Sequence, residues 1–348
     1  MVKNKSIIFT GLIKRQPDCG ISMKNFYFVN KLQEYYDIVY IVGLTKTGKG
    51  KSHYPFDVIK VLFLALVHPK AKIVVSANTG VANFLIKAIV LIGMAKRCYY
   101  WVPGGVFHIL VKERYPKTAF MKINRLFVQS QTMVEELKKM GFTNATYVPN
   151  SKRIFYITKF KRDDYGFIRF VFISRIHPQK GCGMIVDCAK RLNQIGYENK
   201  FVVDFYGSIS PEYEEEFLNS CKKLANINYK GYLDMTTKVG YDLLSLYDIM
   251  LFPTYWWGEG FPGVIIDAYI CGIPVIASDW NYNKEFIDST TGILIHAQNE
   301  DELFREMKNT LDGKYNLFAM SRNCMTKARL YDINYVLSKS NLMKFELL

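Results

Sequence analysis

The sequence predicts an α/β protein of two doubly wound parallel-sheet domains, and three observations carry that expectation. Short apolar runs rich in Ile, Val, Phe and Tyr alternate with helical patterns along most of the chain, the pattern of repeated strand-helix-strand units. The alternation lapses over 149–164, where charges and turn formers gather, and then restarts. At 348 residues the chain also exceeds the length at which a single core usually stops growing.

In order, strands are expected at 6–10, 38–42, 73–76, 98–102, 125–128 and 146–148, with helices at 23–36, 56–67, 80–94 and 132–140. After the break, strands are expected at 168–174, 201–206, 227–230, 249–253, 275–277 and 292–295. Helical patterns fall at 182–195, 212–224, 240–245, 263–269, 284–287 and 300–311. From 315 onward the chain reads as helix without a strand, carrying Lys327, Arg329, Lys339 and Lys344. The expected domains are 1–155 and 156–325, each Rossmann-like, with 326–348 a helical segment packing back on the first. Ligands of open α/β sheets bind beyond the carboxyl ends of the strands, so the functional residues belong in post-strand loops facing a cleft between the domains.

Composition narrows the class. An apolar fraction of 49% with 22% charged residues is that of a folded globular protein and excludes disorder. The apolar run at 7–9 is too short for a signal peptide, so a cytoplasmic setting is expected. The stretch 81–94 contains Asn83 and Lys87 and falls short of the roughly 20 residues of a membrane span. It reads as a core-facing helix. Seven cysteines, at 19, 98, 182, 188, 221, 271 and 324, form no C-x-x-C pair or His-containing zinc pattern and read as free thiols. A formal charge of +15 calls for an anionic partner: a phosphate-bearing ligand, an acidic membrane surface or nucleic acid. The basic residues are spread without a continuous stripe, which argues against nucleic acid.

The segment 254–280 reads TYWWGEGFPGVIIDAYICGIPVIASDW and carries the chemistry. A loop with Glu259, Gly260 and Phe261 follows a strand, Pro262 stands at the first helical position, and Asp267 lies in the second turn. The amides of Gly263, Val264 and Ile265 then point out of the helix start and, with the dipole, offer a site for a diphosphate. Two carboxylates flanking such a cradle suit a ligand with hydroxyls at both ends.

This stretch resembles the E-x7-E signature of retaining glycosyltransferases of the GT-B fold, the "group 1" family. Here it reads Glu259-x7-Asp267, followed by Cys271-Gly272-Ile273-Pro274-Val275-Ile276; Asp267 stands where the family usually has Glu. The resemblance implies a GT-B architecture, two Rossmann-like doubly wound sheets with an interdomain cleft. It further implies that Glu259 contacts donor-sugar hydroxyls and Asp267 the ribose, with Phe261, Pro262, Gly263 and Val264 along the donor. Arg175 and Lys180, in the run Arg175-Ile176-His177-Pro178-Gln179-Lys180-Gly181, match the pair that neutralises the donor diphosphate. Two fixed cations replace a metal in that scheme, and no D-x-D motif accompanies them, so no metal or cofactor is expected.

Gly20 is what remains of a Gly-Gly pair usual after the first strand, with Cys19 in place of its neighbour. Gly104, Gly105 and His108 follow another strand and are expected on the acceptor side, His108 touching the sugar, positioning the acceptor or serving structure alone. Gly207 and Tyr232 follow strands where the family holds the nucleobase, and Trp256 and Trp257 either stack on a sugar or fill a wall. The run Gly43 to Gly50 nearly spells a phosphate loop but ends in Gly50 instead of Ser or Thr, and Pro55 interrupts the helix that should follow.

The function so implied is retaining transfer of a hexosyl unit from a nucleotide sugar, UDP-linked by family frequency, to a glycan or lipid-linked acceptor in bacterial surface-polysaccharide assembly. The setting is cytoplasmic, peripheral on the inner face of the plasma membrane. Two rivals are a non-catalytic nucleic-acid-binding protein and a nucleotide-cofactor Rossmann enzyme. The latter requires a G-x-G-x-x-G turn that neither first strand supplies.

Overall fold

A computed structural model describes residues 5–13, 20–43, 54–155, 157 and 166–348. The chain divides into two compact units, Met1–Arg153 with Tyr331–Leu348, and Ile154–Leu330.

Unit 1 holds a six-stranded sheet of β1 (Ser6–Gly11), β2 (Ile38–Gly43), β3 (Lys72–Ser76), β4 (Cys98–Trp101), β5 (Arg125–Val128) and β6 (Ala145–Tyr147). Its order is β2-β1-β3-β4-β5-β6, and every pairing is parallel. The strands are continuous apolar runs because helices cover both faces. Ile7, Phe9, Val74, Tyr99, Trp101 and Phe127 form the core on one side, against Phe28 and Leu32 of the helix Gly20–Leu32.

The tail Tyr331–Leu348 completes that core. Leu342 and Leu347 are fully buried, Phe345 packs on Phe127, and the Glu346 carbonyl accepts hydrogen bonds from Tyr99 and Lys72, each at 2.6 Å. Residues 326–330, expected with this tail, instead stay in unit 2. There Lys327 pairs with Asp288 at 2.5 Å and Cys324 donates to the Thr291 carbonyl.

Unit 2 holds β7 (Ile168–Ile173), β8 (Phe201–Tyr206), β9 (Ile227–Tyr229), β10 (Ile249–Phe252), β11 (Val275–Asp279) and β12 (Gly292–His296). Their order is β12-β11-β10-β7-β8-β9, again all parallel. Phe170, Phe172, Val203, Phe205, Ile249 and Leu251 pack beneath the helices Cys182–Gln194 and Glu300–Leu311. Two six-stranded parallel sheets flanked by helices are the architecture expected.

Several local expectations change. The helix Thr79–Leu91 is core-facing on one side only: Ala82, Leu85, Ile86 and Ile89 are buried, whereas Phe84 and Leu91 stand in solvent. Pro55 does not interrupt a helix. It lies in the first turn of Tyr54–Val67, where its missing N–H leaves no bond unmade. Two short helices, Phe107–Glu113 and Thr118–Lys122, occupy a stretch where no helix was expected. The near phosphate loop, from Leu44 on, and Cys19 lie outside the described residues. The six described cysteines are free and buried. Among the described residues no helix is long and apolar enough to cross a membrane.

Candidate functional site

In unit 2 the strand order reverses between β7 and β10, and at such a switch point the post-strand loops part to leave a crevice. Arg175 and Lys180 leave β7, and Glu259 leaves β10, so the three side chains predicted to act together flank that point.

Backbone geometry fixes the β7 exit. Ile176 continues the pairing past the strand, donating to the Ser208 carbonyl at 2.9 Å. The crossing is so close that a Cβ on Gly207 would fall 1.8 Å from the Ser174 carbonyl oxygen, and Gly207 has φ +142, so only glycine fits. Its own amide donates to the Gly231 carbonyl at 2.8 Å and its carbonyl accepts from the Tyr229 hydroxyl at 2.9 Å. Gly207, expected to meet the nucleobase through its backbone, thus spends both groups within the fold. Tyr232, after β9, is exposed at the same sheet edge.

A 3-10 turn, Pro178–Lys180, then ends at Gly181 with φ +77, where a Cβ would meet the Pro253 carbonyl at 2.4 Å. This contact brings Lys180 against the β10 exit. Its buried ammonium pairs with the Glu259 carboxylate, which also accepts from the Thr254 hydroxyl at 3.2 Å. Tyr255 donates to the Gln179 carbonyl at 2.8 Å, tying the two loops together. From the β11 side, Asn281 donates to the carbonyls of Glu259 at 2.9 Å and Trp257 at 3.1 Å. Glu259 is thereby held by loops from three strands.

Trp256 is the platform under the cations. The Arg175 guanidinium lies 4.5 Å from its ring centre and the Lys180 ammonium 5.7 Å, while Trp280 fixes its backbone carbonyl at 2.8 Å. Trp256 thus lies against cations, whereas Trp257 is exposed. His177 stands edge-on to Trp256 at 5.1 Å and accepts the Gln179 amide on Nδ1. Burial and the neighbouring Arg175 charge hold its pKa below the ordinary imidazole value, with Glu212 opposing. The platform role of Trp256 and the clamp from Asn281 escape sequence reading, because each depends on separate loops.

The helix Gly263–Ile270 starts beside this cluster with no side-chain cap among the described residues. Two corrections apply. Pro262 is the N-cap residue, one position earlier than expected, and its carbonyl takes the Ile265 amide at 3.1 Å, leaving Gly263 and Val264 as the candidate anion donors. Phe261 is buried and stacked on Phe286 at 3.6 Å, so it anchors the helix start from the core side. Asp267 is 0% exposed and accepts the Tyr241 hydroxyl at 2.6 Å, so the second acid of the pair faces the protein interior.

Unit 1 holds the remaining predicted residues. Gly104 and Gly105 follow β4, and the half-buried His108 is the second residue of the helix Phe107–Glu113. Burial lowers the His108 pKa, Lys112 adds to the shift and Glu136 opposes it. Gly20 opens its helix with no atom of the described residues near where a Cβ would stand. Sequence reading missed Lys24. It is buried one turn into that helix, donates to the Val102 carbonyl at 3.0 Å and has its pKa driven well down by desolvation. At the β1/β3 switch point Asn25 bridges the Leu12 carbonyl and Ser76.

Residues 168–312 match the family model of glycosyl transferases group 1. The matched stretch lies within the second unit and is less than half of the chain, so it is that unit which resembles the family. The group 1 match covers both switch-point loops and the helix Gly263–Ile270. A curated relative, the UDP-Gal:alpha-D-GlcNAc-diphosphoundecaprenol alpha-1,3-galactosyltransferase of Escherichia coli, is 25% identical over 164 residues. That alignment spans 45% of this chain and 40% of the relative.

Solved structures match over both units. The Anabaena protein Alr3699/HepE in complex with UDP superposes with a TM-score of 0.73 at 14% identity, covering 98% of this chain and 100% of its own. The sucrose-phosphate synthase of Thermosynechococcus elongatus gives 0.74 at 14% identity, covering 99% of each chain. The lipopolysaccharide outer core galactosyltransferase WaaB gives 0.69 at 12% identity, covering 99% of this chain and 100% of its own. At such identities the likeness shows the fold, which is GT-B.

Proposed function

We propose that this chain is a retaining glycosyltransferase that moves a hexosyl unit from a UDP-sugar to a glycan or lipid-linked acceptor. The observation that carries the reading is the cluster at the β7/β10 switch point, where Arg175, Lys180 and Glu259 meet beside the uncapped helix start at Gly263. Two cations and free helix amides suit a diphosphate; the acid beside them suits sugar hydroxyls. The curated relative's name, which specifies a UDP-sugar donor and a diphosphoundecaprenol acceptor, supports the same substrate classes.

In this reaction the bond from the anomeric carbon to the diphosphate oxygen breaks and a bond to the acceptor oxygen forms on the same face. The acceptor's hydroxyl proton passes to the departing phosphate oxygen, so no protein base is needed. Arg175, Lys180 and the amides of Gly263 and Val264 stabilise the charge that grows on the leaving diphosphate. Glu259 orients the sugar. Donor binding then requires Lys180 to share its charge between Glu259 and phosphate, which couples the site's two halves. Asp267 supports the helix start through Tyr241. His108, Gly104 and Gly105 serve the acceptor side, and Gly20 leaves room for the donor.

The proposed setting is the inner face of the plasma membrane, in surface-polysaccharide assembly. Two fixed cations do the work of a metal, so EDTA is expected to leave the rate unchanged. The deciding experiment incubates the protein with radiolabelled UDP-, GDP- and ADP-sugars and a membrane extract, with Glu259→Gln in parallel. Label transferred from a UDP-sugar by the parent alone is the expected result. Transfer of equal rate by Glu259→Gln overturns the site assignment.

A further inference from the structure

The helix Tyr54–Val67 is apolar on two opposite sides. Val58, Val61 and Ala65 are buried against the sheet of unit 1. On the other side Phe56, Ile59, Phe63, Leu66 and Val67 fall within an arc of about 100° and stand in solvent, Phe56 at 73% exposure and Phe63 at 62%. The adjoining helix Thr79–Leu91 adds Phe84 and, at 86% exposure, Leu91. Scattered exposed apolar residues are ordinary, but a contiguous stripe across two helices marks a surface that something covers.

The charge around it identifies what. Lys60, Lys70, Lys87 and Lys96 are exposed on and beside these helices, and Asp57 is the only acidic residue between 54 and 97. A second copy of the chain, docked face to face, would bring these lysines together and repel. An anionic bilayer accepts both features at once, the apolar stripe below the headgroups and the lysines among them. At 14 residues the longer helix spans about 21 Å, too short to cross a hydrocarbon core of about 30 Å, so it lies in the plane of the interface.

We infer that the outward faces of helices Tyr54–Val67 and Thr79–Leu91 form a docking surface for an anionic lipid bilayer. The inference rests on the membrane setting proposed above and on no part of the transfer chemistry. Its test is flotation of the full chain with phosphatidylglycerol-containing vesicles and with pure phosphatidylcholine vesicles, no nucleotide sugar being present. Partition onto the anionic vesicles should be at least about tenfold greater. The variant Phe56→Ser/Phe63→Ser should lose at least about tenfold while melting at the parent temperature, since both side chains are already in solvent. Lys60→Glu/Lys87→Glu should abolish the anionic preference. Absence of vesicle binding, or binding unchanged in both variants, overturns the inference. So does a concentration-dependent dimer in sedimentation that Phe56→Ser/Phe63→Ser dissolves. Glycosyl transfer by the parent would stand or fall separately, in the Glu259→Gln assay.

Discussion

The two units share a parallel six-stranded design but use the reversal of strand order differently. In unit 2 the loops at the β7/β10 reversal are cross-bonded and carry Arg175, Lys180 and Glu259 on a Trp256 platform. In unit 1, among the described residues, the β1/β3 reversal is bridged by neutral groups, Asn25 between Leu12 and Ser76, and the neighbouring Lys24 amine is buried against a carbonyl. One edge is a preorganised set of charges; the described part of the other is joined through uncharged groups. The difference teaches that one fold can hold charge at one reversal of strand order and uncharged groups at another, so the fold supplies the place and the loops decide what stands there.

The largest test of this contrast is Glu259→Gln, expected to lower transfer at least about 100-fold while Lys180 and Thr254 keep a partner and the protein stays folded. An equal loss from His108→Gln would erase the contrast, moving the chemistry into unit 1.

The glycines sharpen it next. Gly207→Ala sets a Cβ against the Ser174 carbonyl at φ +142 and should cost at least about 3 kcal/mol in denaturant titration. Gly20→Ala meets no atom of the described residues and has an ordinary backbone, so stability should change by less than about 1 kcal/mol. If Gly20→Ala nevertheless raises KM for the donor with stability intact, glycine there serves the ligand.

Tyr241→Phe removes the hydroxyl from the buried Asp267 and should cost about 2 kcal/mol. A small loss of transfer beside that cost would mark Asp267 as a support of the helix start; a collapse of UDP affinity at unchanged stability would make it a ligand contact.

The smallest effect is on pH. His177 and His108 are both held below the ordinary imidazole value, so the unfolded chain binds their protons first as pH falls past about 6.5. Their contribution to stability is present above that pH and lost below it. Thermal melts between pH 7 and 5 should show a shallower decline in a His177→Gln/His108→Gln double variant than in the parent.

Much of the arrangement in unit 2 was legible because its charged residues stand at fixed places after strands. Arg175, Lys180 and Glu259 could be read from their places after two strands, and the structure brings Lys180 onto Glu259 and Arg175 over the shared Trp256. Asp267 was not, because its orientation is decided by Tyr241, which lies 26 residues earlier. The Ile265 amide was read as free since helix starts lack partners, yet Pro262 closes one early turn. Phe107–Glu113 escaped because the glycine pair before it reads as loop. The helix Tyr54–Val67 shows the opposite limit: an apolar pattern tells that faces are hidden, not which of them the fold itself hides.

The return of Tyr331–Leu348 to unit 1 has a consequence for synthesis. Leu342 and Leu347, wholly enclosed there, are synthesised only after unit 2, which is one uninterrupted stretch, Ile154–Leu330. The unit whose strands are made earlier therefore closes its core after the other, and a nascent chain carries an unsealed first core until the segment Tyr331–Leu348 emerges.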